Sequence, residues 1–408
     1  MPIISIFSGA FCQEGTVIEE VAAGTGYKQL GDDEIVAEAS RRSTLAKGKL
    51  KRAFSSKTSV FNKYTLEKER SLAYIKLAVA DLIATDNTLI TNFSGQLIPV
   101  TVSHTLRVCL IAPLKYRTAM AAKQLGISEK EAAKRIQKHE EDCSFWVDFL
   151  LGNKDPWDPA LYDIVIPIDK MSVQDAAALI TDNAGKDIIQ QTAASQQALE
   201  DFRLAAEAEA ALVEQGHTVE VCAKNGALTL TINKHVLRLN RLQEELKSIA
   251  APIAGVKSVE TKIGKNFHKT DIYRRHDFEM PSKVLLVDDE REFVQTLSER
   301  LIMRDMGSAV AYDGESALNL IQEDEPEVII VDLKMPGVDG LEVLRKVKET
   351  RPEIEVIILT GHGHEEDRQL CMQLGAFAYL QKPLDIDVLS QTIQKANEKI
   401  RRKKGKKD

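Results

Sequence analysis

Five residues in the last third of the chain are of types that could do phosphoryl chemistry together. Asp288 and Asp289 follow the apolar run Val284–Val287, and Asp332 follows 327–331. Thr360 follows 355–359, and Lys382 follows 376–380 with Pro383 after it. Carboxylates brought to one point repel one another and resist ionisation unless a cation lies among them. Hard oxygen ligands of this kind suit Mg2+. An ammonium and a hydroxyl on the opposite side would complete a site for a phosphoryl group. One carboxylate would then be the nucleophile and an aspartyl phosphate the product.

For these residues to meet, the apolar runs must be strands of one parallel sheet, which gathers ligands at the carboxyl ends of its strands. Helical patterns follow the first three runs, so the segment from residue 283 reads as a βα-alternating domain. LLVDDE, VDLKMPGVDG, ILTGHG and AYLQKP in this segment closely resemble the response-regulator receiver domain, over residues 283–401. The resemblance implies that Asp332 is the phosphoacceptor. It implies that Asp289, Asp332 and the backbone carbonyl of Lys334 hold Mg2+, with Asp288 acting through water. Lys382 would contact the phosphoryl group, and Lys382-Pro383 would be a cis peptide. Thr360 and Tyr379 would be paired switch residues, while Lys334 and His362 occupy variable positions beside the phosphoryl group.

The chain has 408 residues, 44% of them hydrophobic and 28% charged, which predicts several soluble globular domains. No apolar run reaches the roughly 18 residues that a membrane span needs. The start MPIISIFSGAF has no basic stretch before its apolar residues, so a secretory leader is not expected. Five scattered cysteines without a CxxC pair support neither a disulfide framework nor a zinc site, and a cytoplasmic setting follows. The net charge of -7 gives no general attraction to nucleic acid. Residues 41–70 run against this balance, with ten Lys and Arg against Glu67 and Glu69. They could hold an anion, but a solvated, mobile face is the favoured reading. A basic tail, 402–408, is expected to fray.

At the N-terminus, Ile3–Phe7 reads as a strand, followed by a turn and a helical stretch near Val17–Ala23. Further strands at 88–90, 106–111 and 163–166 alternate with helical patterns at 71–83, 114–125 and 128–151, again a doubly wound sheet. The segment LRVCLIAPLKYRTAMAAKQLGISEKEAAKRIQK, with GNKDPWDPALYDIVIPIDKMSVQDAAALI, resembles the cytidylate-kinase-like family of nucleoside monophosphate kinases. The resemblance covers roughly residues 1–182. It implies a nucleotide site, such as one for ATP, and Gly9, Gly15, Thr16, Arg117 and Arg135 are the candidates to line it. The departures fall on the chemistry. The family's S-R-x-x-G-S-G-G loop is Ser8-Gly9-Ala10-Phe11-Cys12-Gln13-Glu14-Gly15 here, and Glu14 would face a triphosphate with like charge. The family's Gly-Arg is Gly95-Gln96, and an expected lid arginine falls near Cys143. Phosphoryl transfer needs those positive groups. A degenerate kinase fold is therefore favoured over an active enzyme.

Between the two lies a helix-prone stretch, 186–216, read as a connecting helix. Two strands then turn at Asn225-Gly226, a hairpin signal, and a helix and a third strand follow. This ββαβ module, 217–264, is loosely similar to BON-type domains, and a packing spacer is an equal reading. Its histidine, His235, and His268 in the linker 265–282 read as ordinary residues.

The expected architecture is α/β. A P-loop-kinase-like domain (1–185) and a flavodoxin-like receiver domain (283–401) each carry a parallel sheet, with the ββαβ module between. The expected function is a two-component response regulator, phosphorylated by a histidine kinase or phosphotransfer protein. Its output partner is unnamed, a homodimer stays open, and neither membrane nor nucleic acid is an expected partner. The competing reading is a receiver-gated nucleoside monophosphate kinase.

Overall fold

The computed structural model describes residues 2–84, 87–236, 238–267, 283–361 and 364–404. His268, His362, the linker beyond residue 267 and the tail from residue 405 lie outside the described residues. The chain divides into two compact units. Met1–Thr58 with Glu67–Arg274 forms the first, and Ser59–Leu66 with Arg275–Asp408 forms the second.

The first unit begins β1 (Ile3–Ser8), α1 (Glu14–Thr25), β2 (Lys28–Leu30), α2 (Asp32–Arg42) and α3 (Lys47–Arg52). The short α4 (Asn62–Thr65) belongs to the second unit. The first then resumes with α5 (Glu67–Leu82), β3 (Thr88–Thr91), β4 (Thr105–Ile111), α6 (Leu114–Leu125), α7 (Glu129–Leu151), β5 (Ile164–Pro167) and α8 (Val173–Ala184). Its five strands are parallel in the order β2-β3-β1-β4-β5. Strand alternation divides the core between two faces. Ile3 and Phe7 of β1 pack with Val36, Ile75 and Trp146, while Ile4 and Ile6 pack with Val17, Val108 and Ile180. Ser128 caps α7 by accepting from the Glu131 backbone N–H, and the Glu131 carboxylate accepts from the Ser128 N–H in return.

The basic stretch 41–70 differs from the solvated face expected of it. Leu50, Ala53 and Phe54 are buried, and several of its cations have carboxylate partners within the first unit. Among these pairs are Arg42–Asp81, Lys49–Glu67, Lys51–Asp33 and Arg70–Glu214. An apolar residue at nearly every turn gives the stretch a core to pack on, which a count of charges misses.

Next come α9 (Ala193–Glu214), β6 (Glu220–Lys224), β7 (Ala227–Ile232), α10 (Leu239–Ala250) and β8 (Ser258–Ile263). Positive φ at both Asn225 and Gly226 makes the hairpin turn that their types demand. The helix α9 is more than a connector. Leu199 and Phe202 join the core of the first sheet, and Leu204, Ala208 and Leu212 join that of the small sheet with Leu230 and Leu246.

The second unit runs β9 (Val284–Val287), α11 (Arg291–Ile302), β10 (Ser308–Ala311), α12 (Gly314–Asp324), β11 (Val328–Val331), α13 (Gly340–Thr350), β12 (Glu355–Thr360), α14 (Glu365–Gln373), β13 (Ala378–Gln381) and α15 (Ile386–Lys404). All pairings are parallel, in the order β10-β9-β11-β12-β13, the doubly wound order of flavodoxin-like folds. Phe61, from the inserted segment, is 1% exposed among Ile321, Val343, Val347 and their neighbours in this unit. The Val60 N–H beside it donates to Asp324 Oδ2 at 3.3 Å. Two strands, β2 and β10, went unread in the sequence. Both are short edge strands, and neither has the unbroken apolar run of its neighbours.

Candidate functional site

In the second unit, strand order brings the ends of β9 and β11 side by side. Ladder hydrogen bonds continue one residue past the strands. Asp288 N–H donates to Ala311 O at 3.2 Å, Asp332 N–H to Val287 O at 2.9 Å, and Lys382 N–H to Thr360 O at 2.9 Å. Asp288, Asp332 and Lys382 are therefore held by the sheet itself. The carboxylate oxygens of Asp288, Asp289 and Asp332 come within 4.8 Å of one another. Lys382 Nζ donates to Asp288 Oδ2 at 2.7 Å and lies 4.0 Å from Asp332 Oδ1. The second oxygen of Asp288 accepts from the Glu290 N–H. Gly340 completes the frame, because a Cβ there would meet the Asp332 carbonyl oxygen at 2.0 Å.

Charge is unevenly satisfied in this cluster. Asp332 is 7% exposed, and its Oδ1 has no hydrogen-bond partner among the described residues. Burial pushes the Asp332 pKa above the ordinary carboxylate value, Lys382 counteracts this, and Asp288 adds to it. Burial also works against the charge on Lys382, but the hydrogen bond and negative charge of Asp288, with Asp332, raise its pKa. An unpartnered buried oxygen beside two further carboxylates is a donor set that fits a divalent cation.

Thr360, at the end of β12, is 1% exposed. Tyr379 lies on β13 opposite Ile358 and packs half-buried against the core, its hydroxyl without a partner among the described residues. Burial raises its pKa. Lys334 is exposed two residues after Asp332. Lys382-Pro383 is cis, as the resemblance implies.

In the first unit, the turn after β1 has left-handed backbone at Phe11 and Gln13, which suits a loop that closes on an anion. The backbone N–H groups of Glu14, Cys12 and Phe11 interact with the Glu14 carboxylate and favour its charge, although burial dominates and raises its pKa. Burial pushes the Cys12 thiol up to about 12, so it is no thiolate nucleophile.

A cavity of about 390 Å³ lies at the carboxyl ends of β1, β4 and β5. Gly9 and Arg117 line it together. Gly15, Thr16 and Arg135 are exposed and do not belong to its wall. Arg117 Nε donates to Ala112 O at 2.9 Å and Nη2 to Glu140 Oε1 at 2.5 Å, while Nη1 has no partner among the described residues. The sequence reading missed Glu140, Trp157, Asp169 and Lys170 in this wall. Asp169 and Lys170 follow the end of β5, so the strand-end rule that found the acidic site would have found them as well. Glu140 and Trp157 carry no such signal. Gly95, part of the altered Gly-Arg pair, would place a Cβ 2.3 Å from Ser5 Oγ, so its glycine serves packing. Cys143, near the position of the expected lid arginine, is fully buried, with its Sγ 3.4 Å from His139 Nδ1.

Residues 284–394 match the model of the response regulator receiver domain, and residues 3–170 match that of the cytidylate kinase-like family. Response regulator MprA of Mycolicibacterium vanbaalenii is 34% identical over 110 residues, 27% of this chain and 48% of that protein. Transcriptional regulatory protein CpxR of Escherichia coli is 41% identical over 104 residues, 26% of this chain and 44% of that protein. The chain thus spans under half the length of these curated relatives. A receiver domain crystal structure from Clostridium thermocellum is 37% identical, covering 30% of this chain and 96% of that one, with a TM-score of 0.28. No helix among the described residues is long and apolar enough to cross a membrane. Two separate parts of the chain are thus similar to known families, residues 3–170 to the cytidylate kinase-like family and residues 284–394 to the response regulator receiver domain.

Proposed function

We propose that the protein is a phosphorelay response regulator in which Asp332 accepts a phosphoryl group from a histidine kinase or phosphotransfer protein. The observation that carries this is the unpartnered, buried Oδ1 of Asp332 facing Lys382, Asp288 and Asp289. A P–O bond to the Asp332 carboxylate forms as the P–N bond of a phosphohistidine breaks, and the electron pair stays on the imidazole nitrogen. Lys382 faces the incoming group and offsets its negative charge. Mg2+ held by Asp288, Asp289, Asp332 and the Lys334 carbonyl would neutralise charge on the transferred group. Thr360 and Tyr379 are the residues proposed to report the change, by repacking around the new phosphoryl oxygens.

The N-terminal domain is proposed to be the output or sensing part, with its kinase chemistry lost. Glu14 in the phosphate loop supports this, as does the uncharged residue at Gln96. Free thiols, including exposed Cys222, fit the reducing cytoplasm. The test is incubation of the full chain with phosphoramidate and Mg2+, followed by intact mass and peptide mapping. One phosphoryl group on Asp332, absent from Asp332→Asn, is the expected result. A label elsewhere, or none on a folded protein, would overturn the reading. The second reading, a gated nucleoside monophosphate kinase, is favoured by the cavity and the family match at 3–170. It requires ADP release that depends on both ATP and CMP.

A further inference from the structure

We infer that Phe293 is a positioning residue for Lys382: its ring holds the ammonium beside Asp332 while leaving a donor for the incoming phosphoryl group. This rests on the reading of Asp332 as the phosphoacceptor.

Lys382 reaches the site on a long, flexible stem, and its ammonium carries three donors. Two carboxylates draw on it. Asp288 Oδ2 accepts at 2.7 Å and Glu290 Oε1 at 3.3 Å. The Glu290 side chain is 67% exposed, so it holds the ammonium from the solvent side. Asp332 Oδ1 lies farther off, at 4.0 Å. A further neighbour is the ring of Phe293, whose centroid is 4.3 Å from Nζ. That is well within the range over which a ring face attracts a cation. The Lys382 side chain is 13% exposed, so solvent screens the attraction only weakly.

The ring is itself held in place. Phe293 is the third residue of α11, which starts directly after the acidic run 288–290. Val294 and Leu297 on the same helix are buried with Val284 and Leu286, and Phe293 packs partly buried against that cluster. It also shares the wall of a small internal cavity with Asp288 and Asp332. The chemistry of the side chain matters as much as its place. A carboxylate or amide here would offer an oxygen to the third donor of the ammonium. An aromatic ring attracts the charge through its face and presents no oxygen for a phosphoryl group to displace. An aliphatic side chain would fill the space without that attraction.

The test is phosphoramidate labelling of the full chain with Mg2+, read by intact mass as the initial rate at Asp332. Phe293→Leu, which keeps apolar bulk, should lower that rate about threefold or more. Phe293→Tyr, which keeps a ring, should label within about twofold of wild type. The effect should vanish without the ammonium. Lys382→Met combined with Phe293→Leu should label at the rate of Lys382→Met alone. A second measurement leaves Phe293 untouched and serves if Phe293→Leu fails to fold. In protein carrying isotope-labelled lysine, the Lys382 ε-methylene protons are assigned by their loss in Lys382→Met. Their resonance should be shifted upfield by the ring. An ordinary lysine shift overturns the proposal, as does a folded Phe293→Leu protein that labels at the wild-type rate. Equal slowing with and without Lys382 makes the ring a packing residue alone and overturns it too, as does Phe293→Tyr labelling as slowly as Phe293→Leu. Absence of label on wild type would overturn the phosphoacceptor reading instead, and the lysine resonance would then still decide whether the ring holds the ammonium.

Discussion

Lys382 Nζ is 2.7 Å from Asp288 Oδ2 but 4.0 Å from Asp332 Oδ1. The ammonium thus hydrogen-bonds the neighbour of the proposed phosphoacceptor and leaves the acceptor's own oxygen open. A charge-assisted bond to Asp288 holds Lys382 in place, and the 4.0 Å gap leaves it near any group added to Asp332. Lys382→Met should keep the fold and lower the initial rate of phosphoramidate labelling at Asp332 by at least about tenfold. A labelling rate equal to wild type would show that the ammonium does not serve the transfer.

Asp288→Asn should weaken divalent cation binding, because it removes one of three converging carboxylates. Titration with Mn2+, followed by proton relaxation of water, should show affinity reduced by at least about tenfold. Unaltered affinity would place the cation elsewhere.

Gly340→Ala should damage the receiver sheet without touching a charged group. Its Cβ would lie 2.0 Å from the Asp332 carbonyl oxygen, a contact relieved only by moving backbone. Denaturant unfolding should show a loss of about 1–3 kcal/mol or more, as for other overpacked sites. A neutral result would mean that the β11–α13 connection shifts freely.

Asp32 supplies a pH signature in the first unit. Its carboxylate accepts from Ser94 N–H and Oγ and from Phe93 N–H, yet burial dominates and raises its pKa from 3.8 to about 6. The folded state therefore holds a proton that the unfolded state releases between those values. The stability this contributes is present below about 3.8 and is lost as pH rises through about 6. Thermal melts from pH 4 to pH 6 should fall more steeply for wild type than for Asp32→Asn. Parallel curves would remove Asp32 as the cause.

Much of the fold was legible because it rests on strands with no polar interruption. Val284–Val287 and Val328–Val331 are buried throughout, and their apolar runs point directly at the acids that follow. The same logic read β1, β4 and the turn at Asn225-Gly226. It failed for Lys28–Leu30 and Ser308–Ala311, where an edge position relaxes the demand for burial. The receiver-like cluster was readable because each member follows its own strand. The N-terminal cavity was read only through Gly9 and Arg117, since Glu140 reaches it from the middle of α7. Nor does local sequence show the left-handed backbone at Phe11 and Gln13, residue types that rarely adopt it.

Phe61 has a consequence for how this gene can be divided. The second unit is sewn from two separated stretches of chain, so no single cut releases it whole. A fragment beginning near residue 283 would lack the aromatic ring that fills its interior beside Ile321 and Val343. Loss of a fully buried phenylalanine costs about 3–5 kcal/mol, a large part of a small domain's stability. Recombination that exchanged the C-terminal segment alone would also leave residue 61 behind. Any segment put in place of residues 283–404 would have to accept that ring.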